Sequence, residues 1–262
     1  VIHIKTVKVR YKCITYKVKI ICKMKRFYIS ALWMVFTLSI IQAKEIKMFS
    51  PDEKYQFTLS DEGGNLHYSL IWNAKETIKP SLMGINANAI WREGLSLGEI
   101  TTTEHDTVWH PVYGERSTIK DHYKAWSGVI NRQNSRDKLV LDVRAYNEGI
   151  AFRYRFPGGQ YLKITDEFTE FTLPEGTMAY FTSRAQTPFE YLPLEGWSGE
   201  SDRPLLLTLP EGPYVCLAEA QVVDYVRTKF KLSTEKKNTI LSAMFGHVED
   251  IAPYHTPWRV IM

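Results

Sequence analysis

The sequence predicts an all-β protein, a large antiparallel β-sandwich, on three observations. Short runs alternate apolar and polar residues with period two, the pattern of half-buried strands. Pro and Gly punctuate the intervals, at Pro174, Gly176, Pro204, Pro210, Gly212, Pro213 and Gly246. No segment carries a sustained helical period. Aromatic content of 13%, with seven Trp and fifteen Tyr, agrees with sheets and sugar-facing surfaces rather than helical bundles.

The chain begins with two segments that stand apart from this pattern. Residues 1–23 alternate Lys with β-branched residues and read as translated sequence upstream of a true start at Met24. Residues 24–43 have the layout of a secretory signal peptide: Lys25-Arg26, an apolar run from Phe27 to Ile41, and cleavage after Ala43. The competing reading is a membrane anchor, but the run is short for a span of roughly 20 residues, so no stable span is expected. The expected location is periplasmic or secreted.

Charge follows the same division. Nine of the 33 basic residues lie in 1–43, which holds no acid; the remaining 24 face 29 acids, a net charge of −5. The basic pI therefore belongs to the leader, and a nucleic-acid surface is excluded. Cys13 and Cys22 also fall there. Only Cys216 remains, so residues 44–262 form no internal disulfide and rely on a hydrophobic core, which about 220 residues can supply.

In order, Tyr55–Leu59 alternates, Asp61-Glu62-Gly63-Gly64-Asn65 turns, and Leu66–Trp72 returns. Asn73-Ala74-Lys75 turns again, and Glu76-Thr77-Ile78 leads to Pro80. The clearest hairpin runs from Lys138 to Phe156. Leu139, Leu141, Val143 and Ala145 share one face, Ile150, Phe152, Tyr154 and Phe156 answer them, and Asn147-Glu148-Gly149 is a turn in which Gly149 can supply a positive φ. Further strands are expected at 161–164, 170–173, 178–181, 205–209, 214–219, 226–231, 239–245 and 258–262. The last reads as a strand just begun, which gives the chain a truncated look.

Few residues propose chemistry. No G-x-S-x-G, H-E-x-x-H, P-loop or C-x-x-C pattern occurs, and no paired acid and base stands out in 44–262. His105 and His110 with Glu104 and Asp106 do not have the spacing of a metal site on a helix face. Trp109-His110-Pro111-Val112-Tyr113-Gly114-Glu115 is either a turn over core aromatics or a loop presented to a partner or a sugar. Ser183 to Tyr191 is the stretch with most promise. It leaves the strand Met178–Phe181 as a loop and carries Glu190 between Phe189 and Tyr191. A loop carboxylate is a hard oxygen donor suited to Ca²⁺.

Residues 46–262 resemble the N-terminal domain of glycoside hydrolase family 97, the periplasmic α-glucosidases and α-galactosidases of Bacteroidetes. The resemblance is carried by short motifs in family order. They include Ser50-Pro51-Asp52, His110-Pro111-Val112-Tyr113-Gly114-Glu115, Asp121-His122-Tyr123, Tyr146-Asn147-Glu148-Gly149 and Ile150–Pro157. Asp166-Glu167, Ala218-Glu219-Ala220, Val223-Asp224-Tyr225 and Thr256-Pro257-Trp258-Arg259 follow. It implies a galactose-mutarotase-like super-sandwich that packs on a (β/α)₈ barrel bearing the catalytic carboxylates. It also implies one calcium ligand from this domain, a Glu that matches Glu190; Glu195, Glu200 and Asp202 lie close enough to be alternatives. The expected substrate is an α-linked oligosaccharide, glucoside or galactoside. Two readings follow: a non-catalytic domain of a Ca²⁺-dependent exo-acting α-glycosidase, or a stand-alone carbohydrate-binding or assembly module.

Overall fold

The structure is a computed structural model that describes residues 43–210 and 212–262. The expected upstream extension and the signal peptide, apart from Ala43, lie outside the described residues. No helix among the described residues is long and apolar enough to cross a membrane.

In chain order the strands are β1 (Glu45–Phe49), β2 (Tyr55–Ser60), β3 (Leu66–Trp72), β4 (Lys75–Met83), β5 (Ile85–Ala87), β6 (Ala89–Trp91), β7 (Leu95–Trp109) and β8 (Ile119–Arg132). Then come β9 (Lys138–Tyr146), β10 (Ile150–Phe156), β11 (Tyr161–Glu167), β12 (Glu170–Thr172), β13 (Met178–Phe181), β14 (Glu190–Pro193) and β15 (Glu200–Ser201). The chain closes with β16 (Leu205–Thr208), β17 (Tyr214–Ala220), β18 (Thr228–Leu232), β19 (Thr239–Met244), β20 (Val248–Ile251), β21 (Tyr254–His255) and β22 (Trp258–Ile261). Two single-turn 3-10 helices, Glu62–Gly64 and Leu194–Gly196, are the helical elements of the described chain.

Three antiparallel sheets result. The first is ordered β1-β2-β3-β4-β12-β19-β18-β15, and the third is β20-β11-β5-β6. The second is β14-β13-β16-β17-β22-β10-β9-β8-β7, with β21 also on β10, which makes ten strands. The two large sheets pack face to face. Phe57 and Tyr68 of the first reach Phe152 of the second with ring centroids 6.5 and 5.3 Å apart, and Trp126 meets Phe57 edge-on at 6.3 Å. The period-two alternation creates this interface: the inward residues of β9, Leu139, Leu141, Val143 and Ala145, are all buried.

The hairpin β9–β10 has the strand limits that its alternation predicts. The role expected for Gly149 is corrected: it is not among the glycines with positive φ. It is needed for space, since a Cβ there would lie 2.3 Å from the Ile261 carbonyl oxygen and 2.9 Å from the Met262 Cα. Both neighbours are backbone and have little room to yield. Gly149→Ala is therefore expected to cost about 1–3 kcal/mol of unfolding free energy, read by urea denaturation, through forced separation of β22 from β10. An unchanged midpoint would contradict this.

The structure defines three other stretches. The run Glu76-Thr77-Ile78 that leads to Pro80 continues through it, so Pro80 lies inside β4. The β3–β4 ladder shifts register nearby, and Ser81 Oγ accepts from the Thr172 N–H at 2.8 Å, so a side chain takes up part of the ladder. The strand at Trp258, read from the sequence as one just begun, is a central strand: β22 is hydrogen-bonded to β17 on one side and β10 on the other. The stretch around Trp109 is the end of a long ribbon, β7–β8, paired from Leu95↔Arg132 out to Trp109↔Ile119. In its distal half β7 is largely exposed and β8 half-buried, and Trp109 and Tyr113 are not core residues; Val112 and Tyr113 at the tip are 99% and 90% exposed.

Candidate functional site

Glu190 stands at the edge of the ten-stranded sheet. It is the first residue of β14, opposite Phe181 of β13, and so a strand residue rather than the loop residue expected; the loop itself is 182–189. Its side chain is exposed, and its carboxylate makes no hydrogen bond or ion pair with the described residues. Phe189 and Tyr191 beside it are also exposed, and the Tyr191 ring packs on Tyr180 at 4.7 Å.

The loop is held at its base. Thr182 is buried, shares a hydrogen bond with the Thr187 hydroxyl at 2.7 Å, and accepts at its carbonyl from the Asp202 N–H at 2.7 Å. Thr187 Oγ1 donates to the Arg184 carbonyl at 2.6 Å and closes a tight turn. Gln186 within that turn takes a φ of 67°. Lys229 Nζ binds the Ser183 carbonyl at 2.8 Å.

A recess of about 300 Å³ opens between this loop and the segment after β15, lined in part by Arg184, Gln186, Phe189, Asp202, Arg203 and Arg227. Arg184 and Arg227 line it with the single carboxylate of Asp202, while the Arg203 guanidinium is engaged by Glu219 outside the recess, so the recess is cationic. Arg227 approaches Asp202 at 3.6 Å, and Asp202 Oδ1 accepts from the Arg203 N–H at 3.1 Å. Planar polar groups beside an exposed aromatic can hold vicinal hydroxyls while a pyranose face packs on the ring. These arginines come from three separated segments, and no local motif marks them in sequence.

Arg203 extends from the recess into a buried ion network. Its guanidinium contacts Glu219 and donates to the Thr228 carbonyl. Glu219 also binds Arg259 and accepts from the Thr228 hydroxyl at 2.7 Å. Arg259, 2% exposed, completes the chain with two hydrogen bonds to Glu167, whose Oε1 accepts from Thr169 at 2.6 Å. Burial pushes the Arg259 guanidinium down, but the Glu167 carboxylate more than offsets this and holds it above its ordinary value. Glu167 is on β11, Glu219 and Arg259 are on β17 and β22, and Thr228 is on β18, so the network ties all three sheets together.

The alternative carboxylates divide. Asp202 is buried and engaged. Glu195 sits exposed in the 3-10 turn Leu194–Gly196, and Glu200 is half-buried opposite Lys231. Among the described residues no group of three or more His, Cys, Asp or Glu side chains is arranged to hold a metal ion. His105 and His122 pair instead with Asp121 at 3.3 Å and Glu104 at 2.9 Å across the β7–β8 ribbon. The exposed, uncommitted carboxylate of Glu190 is one oxygen donor of the kind a hard cation takes, and the described residues supply no further donors beside it.

These features define a large β-sandwich domain with one exposed carboxylate at a sheet edge beside a cationic recess. The chain belongs to the glycosyl-hydrolase 97 N-terminal family, which it matches over residues 48–262. A retaining alpha-galactosidase of Bacteroides thetaiotaomicron is 23% identical over 221 residues, covering 77% of this chain and 32% of that protein. A glycoside hydrolase family 97 enzyme from Pseudoalteromonas sp. strain K8, solved with acarbose, superposes with a TM-score of 0.77 at 22% identity, over 82% of this chain and 35% of that one. A beta-arabinopyranosidase superposes with a TM-score of 0.73 at 21% identity, over 83% and 40%. At that identity the structures show the shared fold. The chain spans about a third of the length of the curated relative it matches.

Proposed function

We propose that this domain is the non-catalytic N-terminal sandwich of a Ca²⁺-dependent, exo-acting α-glycosidase, secreted or periplasmic, that packs on a catalytic (β/α)₈ barrel. The observation that carries the reading is the exposed, uncommitted carboxylate of Glu190 beside a cationic recess, on a chain of this family. Glu190 is the residue of this chain that would hold the calcium, with its other oxygens supplied from outside the domain. A bound calcium ion would orient the sugar and polarise the site. This chain's own part is to present Glu190 at a fixed edge and to offer Arg184, Arg227 and Phe189 to an α-linked oligosaccharide, a glucoside or a galactoside. Two carboxylates are needed at the anomeric centre, and they are assigned to the barrel.

The exposed pair Phe189 and Tyr191 also supports a second reading, a carbohydrate-binding or assembly module that works without a barrel. Aryl α-glucoside and aryl α-galactoside turnover separates the two. Residues 44–262 alone are expected to show none, and the protein joined to its barrel is expected to turn over one of them. Turnover by 44–262 that survives Glu190→Gln would show a catalytic pair inside the sandwich. An inactive longer protein, with oligosaccharide binding by 44–262, would favour the module.

A further inference from the structure

We propose that a polar recess on the outer face of the ten-stranded sheet, held by Arg144, Arg153 and Arg155, binds a divalent tetrahedral oxyanion, phosphate or sulfate, either free or as an ester on a saccharide. It shares no lining residue with the recess beside Glu190.

Strand alternation builds the recess. Leu141 and Val143 of β9 are buried in the core, so Asp142 and Arg144 point the other way. On β10, Phe152, Tyr154 and Phe156 are buried, and Arg153 and Arg155 point out beside them. Asp142 stands opposite Ser127 of β8 and Arg153 of β10, and Arg144 stands opposite Ala125 and Ala151. The recess holds about 290 Å³, and Thr103, Tyr123 and Trp258 are also in its wall. That volume admits a tetrahedral ion together with its waters or with a sugar that carries it.

Charge decides what it takes. Three guanidinium groups and one carboxylate line it, which leaves two positive charges. Asp142 is saturated: it accepts from Ser127 Oγ at 2.7 Å, from Arg153 Nε at 3.4 Å and twice from Arg155 at 2.9 Å. Arg144 has the Tyr146 hydroxyl as hydrogen-bond partner and no carboxylate partner among the described residues. Glu148, which lines the adjoining apolar recess with it, forms no ion pair with it. Burial pushes the Arg153 guanidinium below its ordinary value against the pull of Asp142, and the charges of Arg144 and Arg155 add to the push. Crowded, half-buried cations favour an anion that brings two charges and several acceptor oxygens. The donors are also fixed in advance. Arg144 lies between the Tyr123 and Trp258 rings, 4.5 and 4.6 Å from their centroids, Arg153 lies 4.4 Å from that of Trp258, and Arg155 is held by its two bonds to Asp142. Little side-chain entropy is left to lose on binding. An uncharged sugar is disfavoured, because the Trp258 ring is 7% exposed under two guanidinium groups and has no open face for stacking.

The test is isothermal titration of the full-length protein with inorganic phosphate, at an ionic strength held constant with chloride. Saturable binding with a Kd of about 1 mM or tighter is expected, with sulfate competing. Arg144→Gln should weaken it at least about tenfold, and Arg144→Lys, which keeps the charge and loses the planar fork, at least about threefold. Arg184→Gln, in the recess beside Glu190, should leave it unchanged. Thermal unfolding of each variant checks the fold, and Arg144→Lys carries the comparison if the Gln variant does not fold. Absence of saturable phosphate binding would overturn the inference. So would an equal loss in Arg144→Gln and Arg184→Gln, which means general charge screening, a loss confined to Arg184→Gln, or competition by uncharged glucose. Glucose 6-phosphate distinguishes the two sources. Binding tighter than that of phosphate assigns the site to an ester on a saccharide, and weaker binding assigns it to the free ion.

Discussion

Arg259→Leu is expected to lower the unfolding free energy by about 3–5 kcal/mol, because it leaves Glu167 and Glu219 facing each other in the core without the cation between them. Both carboxylates are almost fully buried, so water cannot take the place of the guanidinium. Arg203 still contacts Glu219, so the uncompensated charge falls mainly on Glu167. Removing that charge as well tests the cause. Arg259→Leu combined with Glu167→Leu should recover most of the loss, since an apolar replacement of a buried pair is often neutral or stabilising. Urea denaturation of the sandwich measures both. A single substitution that costs less than about 1 kcal/mol, or a double one no more stable than the single, would mean that the network carries little of the fold.

That network was not legible in the sequence, and the reason is physical. Arg259 lies 92 residues from Glu167 and 40 from Glu219, and each reads locally as one more charge in a strand. Period two does place them: Glu219 and Arg259 alternate with outward Ala218, Ala220, Trp258 and Val260, so each points inward where an apolar residue is expected. Two inward charges on neighbouring strands are the available signal. The strands themselves were legible wherever one face is buried, as in β3, β9 and β10, because burial enforces alternation. Ribbon β7 escaped for the converse reason. Beyond Ile100 the strand is largely exposed and needs no apolar alternation, and the β-branched run Ile100–Thr103 is what marks it as a strand. The site was legible as a stretch, not as a geometry. Phe189-Glu190-Tyr191 stands out in sequence, but the recess beside it is assembled by Arg203 and Arg227 from distant segments.

Glu190 lies on a short edge strand whose base is tied to β15 through Thr182, so its carboxylate, the calcium ligand proposed above, is presented from a fixed edge. In the protein joined to its barrel, Glu190→Gln is expected to raise the calcium concentration needed for half-maximal turnover by at least tenfold, and to lower turnover at limiting calcium by a similar factor. The amide keeps the shape and loses the charge that a hard cation needs. The sandwich should stay folded, because an exposed side chain with no partner contributes little to stability. Unfolding of the Glu190→Gln variant within about 0.5 kcal/mol of the parent, measured without calcium, is the control. Glu195→Gln and Glu200→Gln in the same assay decide between neighbours. If Glu190→Gln leaves the calcium dependence unchanged and one of the others abolishes it, that other carboxylate is the ligand. If none of the three matters, the sandwich serves the barrel only as scaffold.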